Sequence, residues 1–164
     1  MKINYSKFRK IKFLLFDFEG VLFNKSISNE DEFIENSKDI LNSFIDTVNE
    51  YGLKIGIITA RTEDSVTVFL QTLGFDELFI SSIDKVSPVE KMLDKHNLNF
   101  DEILYAGDDI LDIPLMQKAG YTVCPANARR ELKRIADFIC ENNGGENILP
   151  EIINLIEESK VVNS

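Results

Sequence analysis

The chain has 164 residues, 44% of them hydrophobic and 28% charged, with a formal net charge of −10. That length holds one domain, over residues 1–164, with room for a sizeable core, and the composition is that of a globular protein. So large an excess of acid excludes nucleic acid and anionic membrane surfaces as natural partners, and no apolar run approaches the length of a membrane span.

The first strand is the run Phe13-Leu14-Leu15-Phe16-Asp17. It is short, aromatic-rich and continuously apolar, the pattern of a strand buried on both faces. It runs into Asp17, Glu19 and then Gly20, where the backbone turns. Residues 22–38 are polar and acidic and read as a loop or a small β-hairpin leaning over the strand ends. Ile40, Leu41, Phe44, Ile45 and Val48 recur at helical spacing, and Gly52 stops that helix. Residues 53–59 form a second strand, 63–73 a helix closed by Gly74, and 78–80 a short strand. Pro88 marks the first turn of the next helix, which runs to about Lys95. Residues 102–106 form a strand, 109–118 a helix ended by Gly120, and 121–123 a strand. A helix over 128–136, a strand over 138–140 and a final helix over 149–158 complete the order, with residues 161–164 as a frayed tail. Strands alternating with helices in this way predict an α/β fold: a three-layer, Rossmann-like sandwich around a mostly parallel sheet.

The remaining features are unspecialised. Cys124 and Cys140 lack metal-ligand spacing and sit in apolar contexts, so they read as buried free thiols in a reducing compartment. The single histidine, His96, lies at a polar helix end and reads as surface, which removes Ser-His-Asp chemistry. The basic groups Lys7, Arg9, Lys10, Lys12 and Arg129, Arg130, Lys133, Arg134 read as solvated surface, with a phosphate or carboxylate contact from the second group as the lesser alternative. No signal peptide precedes Lys12, so the expected location is the cytoplasm.

The polar residues at the carboxyl ends of successive strands form a set: Asp17 with Glu19, then Thr59, then Asp108 with Asp109, with Lys85 joining from the loop before a helix. In a parallel sheet all of them meet at one edge, where open α/β folds bind ligands. Phosphoryl transfer through an aspartyl phosphate needs this set. Asp17 is a workable nucleophile toward phosphorus, and Mg²⁺ on oxygen ligands neutralises the phosphoryl charge. Lys85 and Thr59 would bind phosphoryl oxygens, and Glu19 would protonate the leaving oxygen and then activate water.

Four motifs in order carry a family resemblance: Asp17-Phe18-Glu19-Gly20-Val21, Ile57-Ile58-Thr59-Ala60-Arg61, Lys85, and Gly107-Asp108-Asp109-Ile110-Leu111-Asp112. The chain resembles the haloacid dehalogenase-like (HAD) superfamily. Within it the chain is similar to the capless 3-deoxy-D-manno-octulosonate 8-phosphate (KDO 8-phosphate) and nonulosonate 9-phosphate phosphatases. Further stretches shared with that group are Asp112-Ile113-Pro114-Leu115-Met116, Pro125-Ala126-Asn127-Ala128 with Ala136-Asp137-Phe138, and Gly144-Gly145 before the last helix. Thr59 follows Asp17 by 42 residues, which leaves room for a hairpin and none for a cap domain.

The resemblance implies a Mg²⁺-dependent phosphatase acting on a phosphorylated small molecule and assembled as a homo-oligomer, a tetramer in which neighbours help cover the site. Asp17 becomes nucleophile and metal ligand. Glu19 gives its backbone carbonyl to the metal and its side chain to acid–base work. Asp108 is the second carboxylate on the metal, and Asp109 and Asp112 orient Lys85 or metal-bound water. The family carries Asp where this chain has Glu19, and an Arg-Gly pair with a further Arg where this chain has Glu146, Asn147 and Pro150. The longer side chain at 19 implies a slowed or retuned enzyme, or, as the alternative, a regulatory subunit that keeps the metal site. A response-regulator receiver domain is disfavoured, since there the Thr and Lys follow the phospho-accepting Asp.

Overall fold

The structure is a computed structural model that describes residues 3–24 and 26–161. Six parallel strands form one sheet: β1 (Phe13–Asp17), β2 (Lys54–Ile58), β3 (Glu77–Phe79), β4 (Ile103–Ala106), β5 (Tyr121–Cys124) and β6 (Phe138–Ile139). Their spatial order is β3-β2-β1-β4-β5-β6. β1 is central, pairing Asp17 with Ile58 on one side and Phe16 with Ala106 on the other. Its residues are all buried, which explains why it reads as an unbroken apolar run.

Alternation along β1 divides the core into two layers. Leu14 and Phe16 enter the layer beneath helices α1 (Tyr5–Phe8), α2 (Glu30–Glu50), α3 (Ser65–Gln71) and α7 (Ile148–Val161). Phe13 and Leu15 enter the layer beneath α4 (Val86–His96), α5 (Ile113–Met116) and α6 (Arg130–Ile135). The predicted three-layer α/β architecture is therefore the observed one. Among the described residues no helix is long and apolar enough to cross a membrane.

Four local expectations need correction. The hairpin over 22–38 is not formed among the described residues. One isolated bridge joins Glu19 and Phe23, and α2 begins at Glu30. Asn29 caps it by accepting from the Glu32 N–H, and Glu30, Asp31 and Glu32 occupy the first turn, where acids favour the helix dipole. The helix over 109–118 is instead a 3₁₀ turn over Ile110–Asp112 followed by the single turn of α5. α1 was not anticipated. His96 is not a surface residue: its side chain is only 13% exposed, bonded to Glu77 and set against the Phe13 ring. The expected frayed tail lies outside the described residues, apart from the backbone of Val161 in α7. Cys124 and Cys140 are buried free thiols, as expected.

Candidate active site

Asp17, Glu19, Thr59, Lys85, Asp108, Asp109 and Asp112 line one cleft of about 210 Å³ at the carboxyl edge of the sheet. Asp17 ends β1 and points toward the layer that holds α4. Lys85 stands immediately before α4 and reaches back, its Nζ 2.8 Å from Asp17 Oδ1 and 2.6 Å from Asp112 Oδ1. Thr59 follows β2, fully buried, with its Oγ1 accepting from the Arg61 N–H.

Asp112 is saturated. Oδ1 accepts from Lys85 and from the Tyr105 hydroxyl, and Oδ2 accepts from the backbone N–H groups of Asp108 and Asp109. Tyr105 keeps its proton, because burial and then the charge of Asp112 push its phenol far up. Asp112 thus fixes both Lys85 and the loop that presents Asp108. Tyr105, inside β4, was not singled out in the sequence. Only its polar tip in an apolar strand hinted that it needed a buried partner.

Two glycines make the loops fit. Gly20 has φ +80°, and a Cβ there would stand 2.0 Å from Asp108 Oδ2. Any side chain at 20 would displace the second carboxylate. Gly144 lies against the Gly20 carbonyl, where a Cβ would come to 1.7 Å, and the Gly145 N–H bonds to the Val21 carbonyl. The late glycine pair is a buttress for the loop after β1.

Carboxylate oxygens of Asp17, Asp108 and Asp112 lie within 4.8 Å of one another. Crowding shows in their acidity. Burial, then the charge of Asp112, raises the Asp17 carboxyl to about 8 against the opposing pull of Lys85. Burial, then Asp112 and Asp109, raises Asp108 to about 6. Burial alone would lower the Lys85 ammonium, but Asp17 and Asp112 outweigh it and raise it. These groups fit a divalent cation: two under-neutralised carboxylates, Asp17 and Asp108, share a space that Gly20 leaves open.

The Glu19 side chain lies outside that triad. Its Oε1 accepts from Arg61 Nε at 2.9 Å and Nη2 at 2.6 Å. Arg61 also pairs with Glu30 at the start of α2 (2.7 Å) and with Asp64, the cap of α3. Its guanidinium stands 5.7 Å from the Phe18 ring centre. Burial alone would lower its pKa, but its bonds to Glu30, Glu19 and Asp64 raise it. Arg61 was quoted in the second motif without a role; its acid partners lie up to 42 positions away. Asp109 bonds to the Ile110 N–H and to Arg129 Nε; of the two orienting roles expected of it, contact with Lys85 is not among these bonds.

The sequence model of the haloacid dehalogenase-like hydrolases matches residues 3–152. The chain belongs to that family. Its relatives include phosphatases of the family. The 3-deoxy-D-manno-octulosonate 8-phosphate phosphatase of Escherichia coli (strain K12) is 28% identical over 159 residues, spanning 92% of this chain and 81% of that protein. A structure from Legionella pneumophila, described as a HAD superfamily (subfamily III A) hydrolase, superposes with a TM-score of 0.75 at 27% identity. It covers 94% of this chain and 86% of its own. The 3-deoxy-D-manno-octulosonate 8-phosphate phosphatase of Moraxella catarrhalis shares the fold, with a TM-score of 0.77 at 21% identity, over 94% of this chain and 90% of that one.

Proposed function

We propose that this protein is a Mg²⁺-dependent phosphomonoester hydrolase that works through an aspartyl phosphate on Asp17. Its substrate is a phosphorylated sugar or sugar acid of the KDO 8-phosphate or nonulosonate 9-phosphate type. The observation that carries this reading is Asp17 itself: a nearly buried carboxylate at the end of the central strand, 2.8 Å from Lys85 and clustered with Asp108. A structural carboxylate gains nothing from such crowding, whereas a nucleophile that must meet an anionic phosphoryl group needs cations around it.

Asp17 and Asp108, with the Glu19 carbonyl that the resemblance implies, would hold the cation. When bound it supplies neutralising charge to the phosphoryl oxygens. Asp17 attacks phosphorus as the bond to the alcohol oxygen breaks. Glu19 gives that oxygen a proton. Water, deprotonated by Glu19, then releases phosphate and restores the Asp17 carboxylate. Lys85 and Thr59 hold the phosphoryl group through both steps, and Asp112 keeps Lys85 aimed.

The chain acts as one HAD-like domain in the cytoplasm, assembled as a homo-oligomer, a tetramer, which sedimentation equilibrium tests. The test of the chemistry is phosphate release from sugar and sugar-acid phosphates with Mg²⁺, wild type beside Asp17→Asn and Glu19→Asp. Turnover by wild type and none by Asp17→Asn supports the reading. The second reading, a regulatory subunit, is favoured by the ion pair that occupies Glu19 Oε1. It predicts a silent wild type that binds Mg²⁺.

A further inference from the structure

One charged surface has no part in the chemistry above. In a chain with a net charge of −10, the segment Arg129-Arg130-Glu131-Leu132-Lys133-Arg134 holds four cations and a single acid. It follows β5, forms most of α6, and is tied to the cleft. The Arg129 N–H donates to the Asp108 carbonyl, and Arg129 Nε donates to Asp109 Oδ1 at 3.1 Å. Asp108 and Asp109 both line the cleft. Lys133 stands one turn further on, its N–H donating to the Arg129 carbonyl. Burial raises the Cys124 thiol at the end of β5 to about 11; the charge of Lys133 opposes that rise and the charge of Asp108 adds to it. Lys133 and Asp108 therefore lie near the same buried sulfur. Among the described residues Lys133 has no acid partner, and Nε is the one guanidinium donor of Arg129 with an acceptor.

We infer that Arg129, supported by the charge of Lys133, binds the carboxylate of a sugar-acid substrate and so determines specificity. The inference rests on the phosphatase reading above and deepens it. Lys85 and Thr59 are buried in the cleft, where they would hold the phosphoryl group. Arg129 stands at the rim beside Asp109, where it meets the part of the substrate that projects from the mouth. Its bond to Asp109 is a single contact between groups 62% and 53% exposed, and such a pair is weak and readily rearranged. The Nη groups remain for a fork-to-fork pair with an incoming carboxylate, the stronger geometry. Asp109 thus acts as a bracket that keeps the guanidinium at the mouth. The late loop offers no competing cation, since Glu146, Asn147 and Pro150 stand there. Every bond that places Arg129 is made within one chain, so its position does not depend on the oligomer.

The test compares KDO 8-phosphate with its C1 carboxamide, which keeps the shape and removes the charge. Both are measured as substrates and as competitors of p-nitrophenyl phosphate hydrolysis, so that slow turnover is still read as binding. Wild type is expected to prefer KDO 8-phosphate by about tenfold or more, the worth of hydrogen bonds to a charged group. In Arg129→Met the preference drops to about threefold or less, mainly through KM. Arg129→Lys, which keeps the charge and loses the fork, is intermediate, and Lys133→Met lowers the preference less than Arg129→Met does. Arg130→Met, outside the proposed contact, retains the wild-type preference. The backbone bond to Asp108 is kept in every variant. A wild type that treats the two compounds alike overturns the inference, and so does a preference that survives Arg129→Met, while p-nitrophenyl phosphate hydrolysis leaves the phosphatase reading standing. No hydrolysis of any of the three compounds overturns both.

Discussion

Two clusters at the same edge of the sheet are built on one plan, a single cation shared among carboxylates, and they differ in burial. In the inner cluster Lys85 is 4% exposed, with Asp17 at 9% and Asp112 at 1%. In the outer cluster Arg61 is 8% exposed, but its acids Glu19, Glu30 and Asp64 are 33–40% exposed. Water screens the outer acids and leaves the inner ones to one another. The inner cluster is consequently rigid and expensive to disturb, since every atom of Asp112 already has a partner. The outer cluster is adjustable, and it joins Glu19, the proposed acid–base residue, to the starts of α2 and α3. In the proposed mechanism the inner cluster would hold the phosphoryl group and the outer one would handle the proton.

The largest effect distinguishing the two is on chemistry. Asp17→Asn lowers the rate of phosphate release by about 10³-fold or more, because the amide cannot act as nucleophile. Circular dichroism is the check that the variant is folded. Next in size is Asp112→Ala. It strands Lys85, the Tyr105 hydroxyl and two backbone N–H groups, and breaking a buried pair in this way costs about 3–5 kcal/mol, read from denaturant midpoints. Loss of less than about 1 kcal/mol would show that the inner cluster is no better sealed than the outer one.

The third effect is on pH. Asp17 and Asp108 titrate near 8 and near 6 in the cation-free protein, above the ordinary carboxylate range. Between those values and about pH 4 the folded state holds protons that the unfolded chain has released, so stability falls as pH rises. Thermal melts without divalent cation should lose roughly 5 kcal/mol, on the order of 10 °C, between pH 5 and pH 8. Added Mg²⁺ should remove that slope, and a flat or rising profile without metal contradicts the crowding. The smallest effect belongs to the outer cluster. Arg61→Met costs about 1 kcal/mol of stability and about tenfold in kcat with little change in KM. An equal loss in Asp64→Asn would make Arg61 only a brace for α3.

The two clusters were unequally legible in the sequence. The inner one follows from local signals. Asp17 ends an apolar run, Thr59 ends another, Lys85 precedes a helix, and parallel topology brings them together. The outer one depends on partners far apart in the chain. Arg61 meets Glu19 and Glu30 only once α2 starts at Glu30, and that start was hidden by reading an acid-rich segment as loop. The signal was present: Asn29 followed by three acids is a helix beginning. The resemblance gave Asp109 the orienting of Lys85 or of metal-bound water. Extended backbone there sends successive side chains apart, and Arg129 claims it. Tyr105 lay concealed for the opposite reason, since a buried strand residue reveals a polar partner only when the facing loop is known.

The central claim is that Asp17 is phosphorylated during turnover, and rapid quenching of wild type with p-nitrophenyl phosphate and Mg²⁺, followed by mass spectrometry of the peptide containing Asp17, tests it most directly. The account predicts a phosphoryl group on Asp17 that forms and decays at least as fast as phosphate is released, and none in Asp17→Asn. Steady turnover with no phosphoryl group on Asp17, or an Asp17→Asn variant that retains the wild-type rate, would contradict it.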